Sequence, residues 1–357
     1  MKSTGIKFFI AGLLLVMLHA CTRDVTPAPN PTPTATPYTL ATPAHFPDPV
    51  IPTNNPLTVE GIKMGRMFYY DTILSTNNMR CATCHVQANA FSIPLYTRPN
   101  GEKISVMPHI NLAWNVKYNW DGSAPVLDLL PLGDFEPEFF NTDMDLLVVK
   151  LKNHKEYPAL FKTVFGVSDI STLSHNELKL KIVYSLSQFL RTMVSNNSKY
   201  DRYLRREVNL TPSELNGYTI FNTEKGDCFH CHGTALFTNN VFTNNGLDTL
   251  FIGQNKGYYL VTGDPKDMGK FRATTLRNIE LTAPYMHDGR FATLQEVIEF
   301  YNSGVHQNSP NIDPIMTKDF KKYGLQLTPQ DKADLLAFLK TLTDTTFTHN
   351  PAFASPF

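Results

Sequence analysis

The sequence predicts a mainly α-helical protein made of two tandem domains, each folded around one copy of the same short motif. Three observations carry this. The pattern Cys-x-x-Cys-His occurs twice, as Cys81-Ala82-Thr83-Cys84-His85 and as Cys228-Phe229-His230-Cys231-His232. Apolar residues recur at spacings of three and four in several stretches, the periodicity of helices buried on one face. Strand-like alternation is sparse, and 357 residues suffice for two ordinary domains plus terminal segments.

Taken in order, residues 1–20 carry Lys2 and Lys7 before the apolar run Phe8 to Leu18. That is the pattern of a secretory signal peptide, too short in its apolar core to span a membrane. Its ending, Leu18-His19-Ala20-Cys21, resembles a bacterial lipobox, in which the cysteine is acylated and becomes the mature N-terminus. Ordinary cleavage nearby is the alternative. A lipid anchor at Cys21 would hold firmly, because each buried CH₂ contributes roughly 0.8 kcal/mol. Residues 21–56 are rich in Pro and Thr, as in Thr26-Pro27-Ala28-Pro29-Asn30-Pro31. They read as an extended tether with no packable apolar face.

Order is expected from about Pro56. Thr58 is a candidate N-cap, and Ile62, Met64, Met67 and Phe68 form a helical stripe that leads into the first motif. Residues 86–142, punctuated by prolines, read as long loops with short helices. The clearest helix runs from about Ser174 to Val194, with Leu178, Ile182, Leu186, Phe189, Leu190 and Met193 on one face. Thr211-Pro212-Ser213-Glu214 starts another, with proline at the first helical position and glutamate at the third, and it leads into the second motif. Two more helices, Thr293–Tyr301 and Thr328–Leu342, follow a loop region over 233–285. The predicted domains are 57–205 and 206–345, with 346–357 as a tail.

Net charge is zero and 18% of residues are charged, which gives no reason to expect nucleic acid as a partner. Of five cysteines, four belong to the motifs, so no disulfide framework is left. Half a zinc site or a redox dithiol could use a C-x-x-C pair. The histidine that follows in both copies points instead to covalently bound c-type haem. The two thiols, one helical turn apart, add across the porphyrin vinyl groups, and the histidine supplies the proximal nitrogen to iron. Cys81, Cys84, Cys228 and Cys231 are then the attachment residues, and His85 and His232 the iron ligands. Together with the helical pattern this gives two cytochrome c-like domains in tandem.

Beyond the motifs, the chain resembles the bacterial di-haem cytochrome c peroxidase family, which includes the maturation enzyme MauG. The resemblance spans roughly residues 57–345. It rests on Gly65-Arg66-Met67-Phe68-Tyr69-Tyr70-Asp71, Trp120-Asp121-Gly122, Phe189-Leu190-Arg191-Thr192 with Ser198-Lys199-Tyr200-Asp201, Phe271 to Asn278, and Pro284-Tyr285-Met286-His287-Asp288-Gly289-Arg290. It implies a periplasmic oxidoreductase that reduces hydrogen peroxide, with a small cytochrome c or cupredoxin as electron donor. The N-terminal haem would be the peroxidatic site and the C-terminal haem the electron entry.

On this resemblance His85 serves the reactive iron, His232 the electron-transfer iron, and Trp120 lies between the haems as an electron conduit. Glu138, followed by Phe139, matches the family's proton-moving glutamate, with Glu136 in reserve. The second ligand of the electron-transfer iron falls on Tyr301, as in MauG-like members, or on Met286. His287 is expected to bond a propionate or backbone group. A homodimer is implied by analogy, with no interface legible.

Three departures stand out. No histidine lies between Val86 and Pro108, where family peroxidases place a distal ligand, and His109 comes late. The reactive iron is therefore expected to be either five-coordinate at rest or bound by His109. Leu130 stands in place of an active-site glutamine. Ser123 replaces the arginine of the Trp-Asp-Gly-Arg motif, and the Arg-Asn pair before Pro108, whose asparagine helps bind calcium in the family, is missing. The last change argues against calcium. The alternatives to a peroxidase are a MauG-like oxidase acting on a protein or organic substrate, and a tethered di-haem electron carrier.

Overall fold

A computed structural model describes residues 34–98 and 101–357. The signal segment, Cys21 and the most proline-dense part of the tether lie outside the described residues. Four helices set the frame, each begun by a side-chain cap. The Thr58 hydroxyl accepts from Gly61 N–H and starts Val59–Tyr70. Ser174, Thr211 and Thr328 form capping boxes with Glu177, Glu214 and Asp331, and start His175–Thr192, Pro212–Phe221 and Pro329–Lys340.

These helices cross in two equivalent pairs, and each crossing is made possible by a glycine. A Cβ on Gly65 would lie 1.9 Å from the backbone oxygen of Ser185, and one on Gly217 would lie 1.9 Å from that of Asp334. Only hydrogen fits at either point. Close approach lets each pair bury a continuous apolar face. Met64, Phe68, Leu178, Ile182, Leu186 and Phe189 enter one core, and Ile220, Phe221, Leu335, Phe338 and Leu339 a second. Each such side chain contributes about 1.5–3 kcal/mol on burial. Tyr200, assigned from sequence to the first domain, packs in the second core.

The halves repeat in finer detail. Asn111 and Asn278 both adopt left-handed backbone, with φ of 54° and 59°. The N–H of each donates to the end of its half's long helix, at Met193 and Leu342 respectively, at 3.0 Å. Both side chains converge on Ser195: Asn111 Nδ2 donates to its carbonyl at 3.1 Å and Asn278 Nδ2 to its hydroxyl at 2.9 Å.

Residues 86–142 are irregular, as expected. They hold the small hairpin Tyr96–Thr97 with Lys103–Ile104 and the 3₁₀ helices Leu112–Trp114 and Leu127–Phe135. A second two-stranded pair joins Phe242–Thr243 to Phe271–Arg272. No helix among the described residues is long and apolar enough to cross a membrane.

Two terminal expectations are corrected. Residues 34–56 are not a free tether but a strap laid on the folded body. Phe46 packs with Ala113, Trp114 and Leu236, and Trp114 Nε1 donates to the Pro47 carbonyl at 2.6 Å. His45 Nε2 lies 3.0 Å from Asp201 Oδ1, a carboxylate already held by the buried Arg277 guanidinium. Single anchors such as Leu40 and Phe46 suffice, and they leave no periodic trace. The C-terminal residues are likewise no loose tail. Phe347 and Phe353 are buried in the first core, and Tyr70 Oη donates to the Phe353 carbonyl at 2.6 Å.

The helix expected over Thr293–Tyr301 is regular only from Leu294 to Glu299. It continues as a π-helical turn, Phe300–Gly304.

Candidate functional site

Each Cys-x-x-Cys-His motif forms one helical turn, closed by the N–H of His85 on Cys81 O and of His232 on Cys228 O, both at 3.0 Å. The turn puts the two cysteines of a motif on one side. None of the four is in a disulfide. His85 Nδ1 lies 2.9 Å from the Phe91 carbonyl, and His232 Nδ1 lies 2.9 Å from the Phe237 carbonyl. Both phenylalanines hold positive φ, 60° and 53°, which non-glycine residues rarely adopt. That strain aims one carbonyl at each imidazole. It fixes the proton on Nδ1 and leaves the Nε2 lone pair for a metal. Burial pushes His85 down to about 4 and also lowers His232, so both rings are neutral, the form that binds iron.

The second centre opens on a cavity of about 470 Å³ lined by Cys228, Cys231, His232, Trp120, Met286 and Tyr301. Paired thiols, a neutral imidazole and apolar walls at one cavity fit a covalently attached haem. Tyr301 sits on the π-helical turn, a distortion often found at functional positions. Burial pushes its phenol up to about 12. Met286 has φ of 69°, a second strained residue at the same cavity. Both ligand candidates therefore enter one space. Asn245 stands between them, with Nδ2 3.1 Å from Tyr301 Oη and 3.9 Å from Met286 Sδ. His287 Nε2 pairs with Asn255 Oδ1 at 2.9 Å and its ring stacks on Phe271. Arg272 is buried at this cavity and offers a cation for haem carboxylates.

Trp120 lines this second cavity. Its indole N–H donates to Ser105 O at 2.9 Å, while Ser105 N–H donates to His287 O at 3.0 Å. The segment that carries Ser105 is the return arm of the Tyr96–Ile104 hairpin, whose first arm reaches the other centre.

At the first centre, Tyr96 Oη donates to the Glu138 carbonyl at 3.0 Å, and burial first, then the nearby Glu138, raise its phenol pKa. Arg98 Nε lies 3.3 Å from Glu138 Oε1 as an ion pair without hydrogen-bond alignment. Glu136, the reserve candidate, is exposed and pairs at 4.0 Å with Lys179. Leu130 packs against the first core. His109 does not stand opposite His85. The two rings stack face to face with centroids 3.5 Å apart, and His109 Nδ1 lies 3.2 Å from Tyr69 Oη. Stacked imidazoles present their nitrogens sideways, so this arrangement does not place an iron between them.

Sequence reasoning missed Asp134, Arg98 and Asn245. Asp134 is the penultimate residue of the 3₁₀ helix Leu127–Phe135, and burial first, then its charge, raise the thiol pKa of both Cys81 and Cys84. Its carboxylate has no hydrogen-bond or ion-pair partner among the described residues. Withdrawal from water pushes its pKa up to about 7. A carboxyl so placed exchanges protons at neutral pH.

The consequence for stability has a definite sign. Between the ordinary aspartate value of 3.8 and about 7 the unfolded chain has lost this proton while the folded chain keeps it, so stability falls as pH rises through that window. Asp134→Asn is expected to raise the thermal midpoint above pH 7 and to leave it unchanged below pH 3.8. Melting curves at the two extremes check this.

Two centres of this construction define a di-haem c-type cytochrome. The profile described as di-haem cytochrome c peroxidase matches residues 59–209. The chain is 30% identical over 301 residues to the methylamine utilization protein MauG of Methylophilus methylotrophus, covering 82% of this chain and 84% of that protein. It is 29% identical over 299 residues to cytochrome c551 peroxidase of Nitrosomonas europaea, covering 81% of each. A solved MauG-like protein associated with microbial copper homeostasis superposes with a TM-score of 0.79 at 31% identity, over 89% of this chain and 99% of that one. The chain belongs to the di-haem cytochrome c peroxidase and MauG family, and it is an oxidoreductase. Membership implies two c-type haems, and the residues at both motifs fit them.

Proposed function

We propose that the protein reduces hydrogen peroxide to water at the first centre, with electrons that enter through the second from a small periplasmic cytochrome c or cupredoxin. The observation that carries this is the asymmetry of the two sites. The second gathers Tyr301 and Met286 in the cavity of His232, side chains that would help hold a haem used for electron transfer. The first has carboxylates nearby, and its extra histidine is stacked beside His85 instead of opposite it. Haem held there by Cys81, Cys84 and His85 would be accessible to peroxide.

The overall step is H₂O₂ + 2e⁻ + 2H⁺ → 2H₂O. Cys81, Cys84 and His85 would hold a haem, which when bound would supply the redox chemistry for O–O cleavage. Glu138 takes a proton from the inner peroxide oxygen and gives it to the outer one, where water leaves. Arg98 keeps that carboxylate in place, and Asp134 is a second proton reservoir. Trp120 carries electrons between the centres. The two cores divide the work, the first supporting peroxide reduction and the second electron entry. Export and acylation at Cys21 would hold the protein at the membrane, with residues 34–56 strapped to the body.

A second reading, a MauG-like oxidase that draws electrons from a protein or organic substrate, is favoured by Tyr301 in the second cavity. Steady-state assay of the haem-loaded protein with peroxide and a reduced cytochrome c decides. The proposal expects donor oxidation without prior reductive activation. A persistent peroxide-induced spectrum without donor consumption would transfer the assignment to the oxidase. No response to peroxide would leave an electron carrier.

A further inference from the structure

Among the described residues, Asn245 is the one side chain that hydrogen-bonds both ligand candidates of the second centre, and its backbone is held with unusual firmness. Asn244, the preceding residue, is buried. It donates to Ser309 Oγ at 2.9 Å and Pro310 O at 2.7 Å, and its Oδ1 accepts from Gly246 N–H at 2.9 Å. Main-chain bonds from His306 N–H to Gly246 O and from Asp313 N–H to Asn244 O, both at 2.9 Å, pin the segment from the other side. Gly246 has φ of 75°, and a Cβ there would lie 2.7 Å from Val305 Cγ1, so this turn seats directly on its neighbour. The Asn245 amide is thus delivered to the cavity by a rigid turn.

An amide NH₂ has two donors. The Tyr301 oxygen, at 3.1 Å, is a full acceptor, whereas the Met286 sulfur, at 3.9 Å, is a weak one. Hydrogen bonds from beyond the ligand shell orient a ligand and tune the metal behind it. We propose that Asn245 is a positioning residue that holds the Tyr301 oxygen for the second iron and, by drawing electron density from that oxygen, sets the reduction potential of the electron-transfer site. The inference rests on Tyr301, and not Met286, being the ligand.

A donor on the ligand oxygen weakens its stabilisation of the ferric state. Removing the donor should therefore lower the potential and shift the tyrosinate-to-iron charge-transfer band to longer wavelength. The test is spectroelectrochemical titration of the haem-loaded protein and of Asn245→Leu, each also carrying Tyr301→Phe. The expected result is a lower potential and a red-shifted band in Asn245→Leu, with two haems still bound per chain. Both effects should vanish when Tyr301 is phenylalanine, because the interaction energy of the pair is then gone.

An unchanged potential and band in Asn245→Leu would overturn the inference, and so would a shift of equal size without Tyr301. If the leucine variant fails to load haem, Asn245→Thr retains a shorter donor and should give a partial shift in the same direction, and no shift would again refute it. Absence of a tyrosinate band in the unaltered protein would remove the ligand reading itself. None of these outcomes depends on peroxide turnover, so they separate from the fate of the peroxidase proposal.

Discussion

Gly217→Val is expected to destabilise the second core by about 3 kcal/mol or more while leaving the first protected, and Gly65→Val to do the reverse. A Cβ at Gly217 would meet the backbone oxygen of Asp334 at 1.9 Å, its carbon at 2.5 Å and Phe338 Cβ at 2.8 Å. At Gly65 the same partners are Ser185 O at 1.9 Å, its carbon at 2.5 Å and Phe189 Cβ at 3.0 Å. Helix backbone cannot yield as the end of a flexible side chain can. The helices would have to separate, and the buried faces of Ile220, Phe221, Phe338 and Leu339, or of Met64, Phe68 and Phe189, would come apart. Hydrogen exchange followed by mass spectrometry separates the outcomes. For Gly217→Val, protection should fall in residues 212–221 and 329–340. For Gly65→Val, it should fall in 59–70 and 175–192. Equal loss throughout the chain would mean that the two cores unfold as one.

Glu138→Gln is expected to lower peroxide turnover by roughly 10²–10⁴-fold, the usual contribution of a positioned acid–base group. Glutamine keeps the shape and the backbone bond from Tyr96, but it can neither accept the peroxide proton nor pair with Arg98. Donor oxidation measured against donor concentration should show the loss in kcat with KM for the cytochrome unchanged, since the proposal puts electron entry at the other centre. Turnover close to that of the unaltered protein would reassign proton transfer. Asp134 is the next candidate because its pKa of about 7 suits exchange at neutral pH, and Asp134→Asn measured alongside would show it directly.

The frame was legible because it is local. Thr58, Ser174, Thr211 and Thr328 announce their helices within four residues, and the apolar stripes of Val59–Tyr70 and His175–Thr192 keep helical spacing. The two motifs likewise bring thiols and histidine together within one turn. What sequence did not reveal depends on distant partners. Phe46 and Phe353 are lone apolar residues among prolines and polar residues, and only the folded surface shows where they seat. Arg98 finds Glu138 forty residues away, and Asn245 finds Tyr301 across fifty-six. Asp134 looked like any loop carboxylate until the chain placed it near two thiols without a cation. The left-handed Phe91 and Phe237 had no signal either, since the residue type gives no hint of positive φ.

The central claim is that one site is open and the other closed by a protein ligand. Low-temperature electron paramagnetic resonance of the resting ferric, haem-loaded protein tests it most directly. The proposed assignment predicts one high-spin signal, from an iron with His85 as its one protein ligand, and one low-spin signal, from an iron with His232 and Tyr301 as its ligands. Two low-spin signals would contradict the account, because the first iron would then carry a second protein ligand, and His109 would have to leave its stack on His85 to provide it.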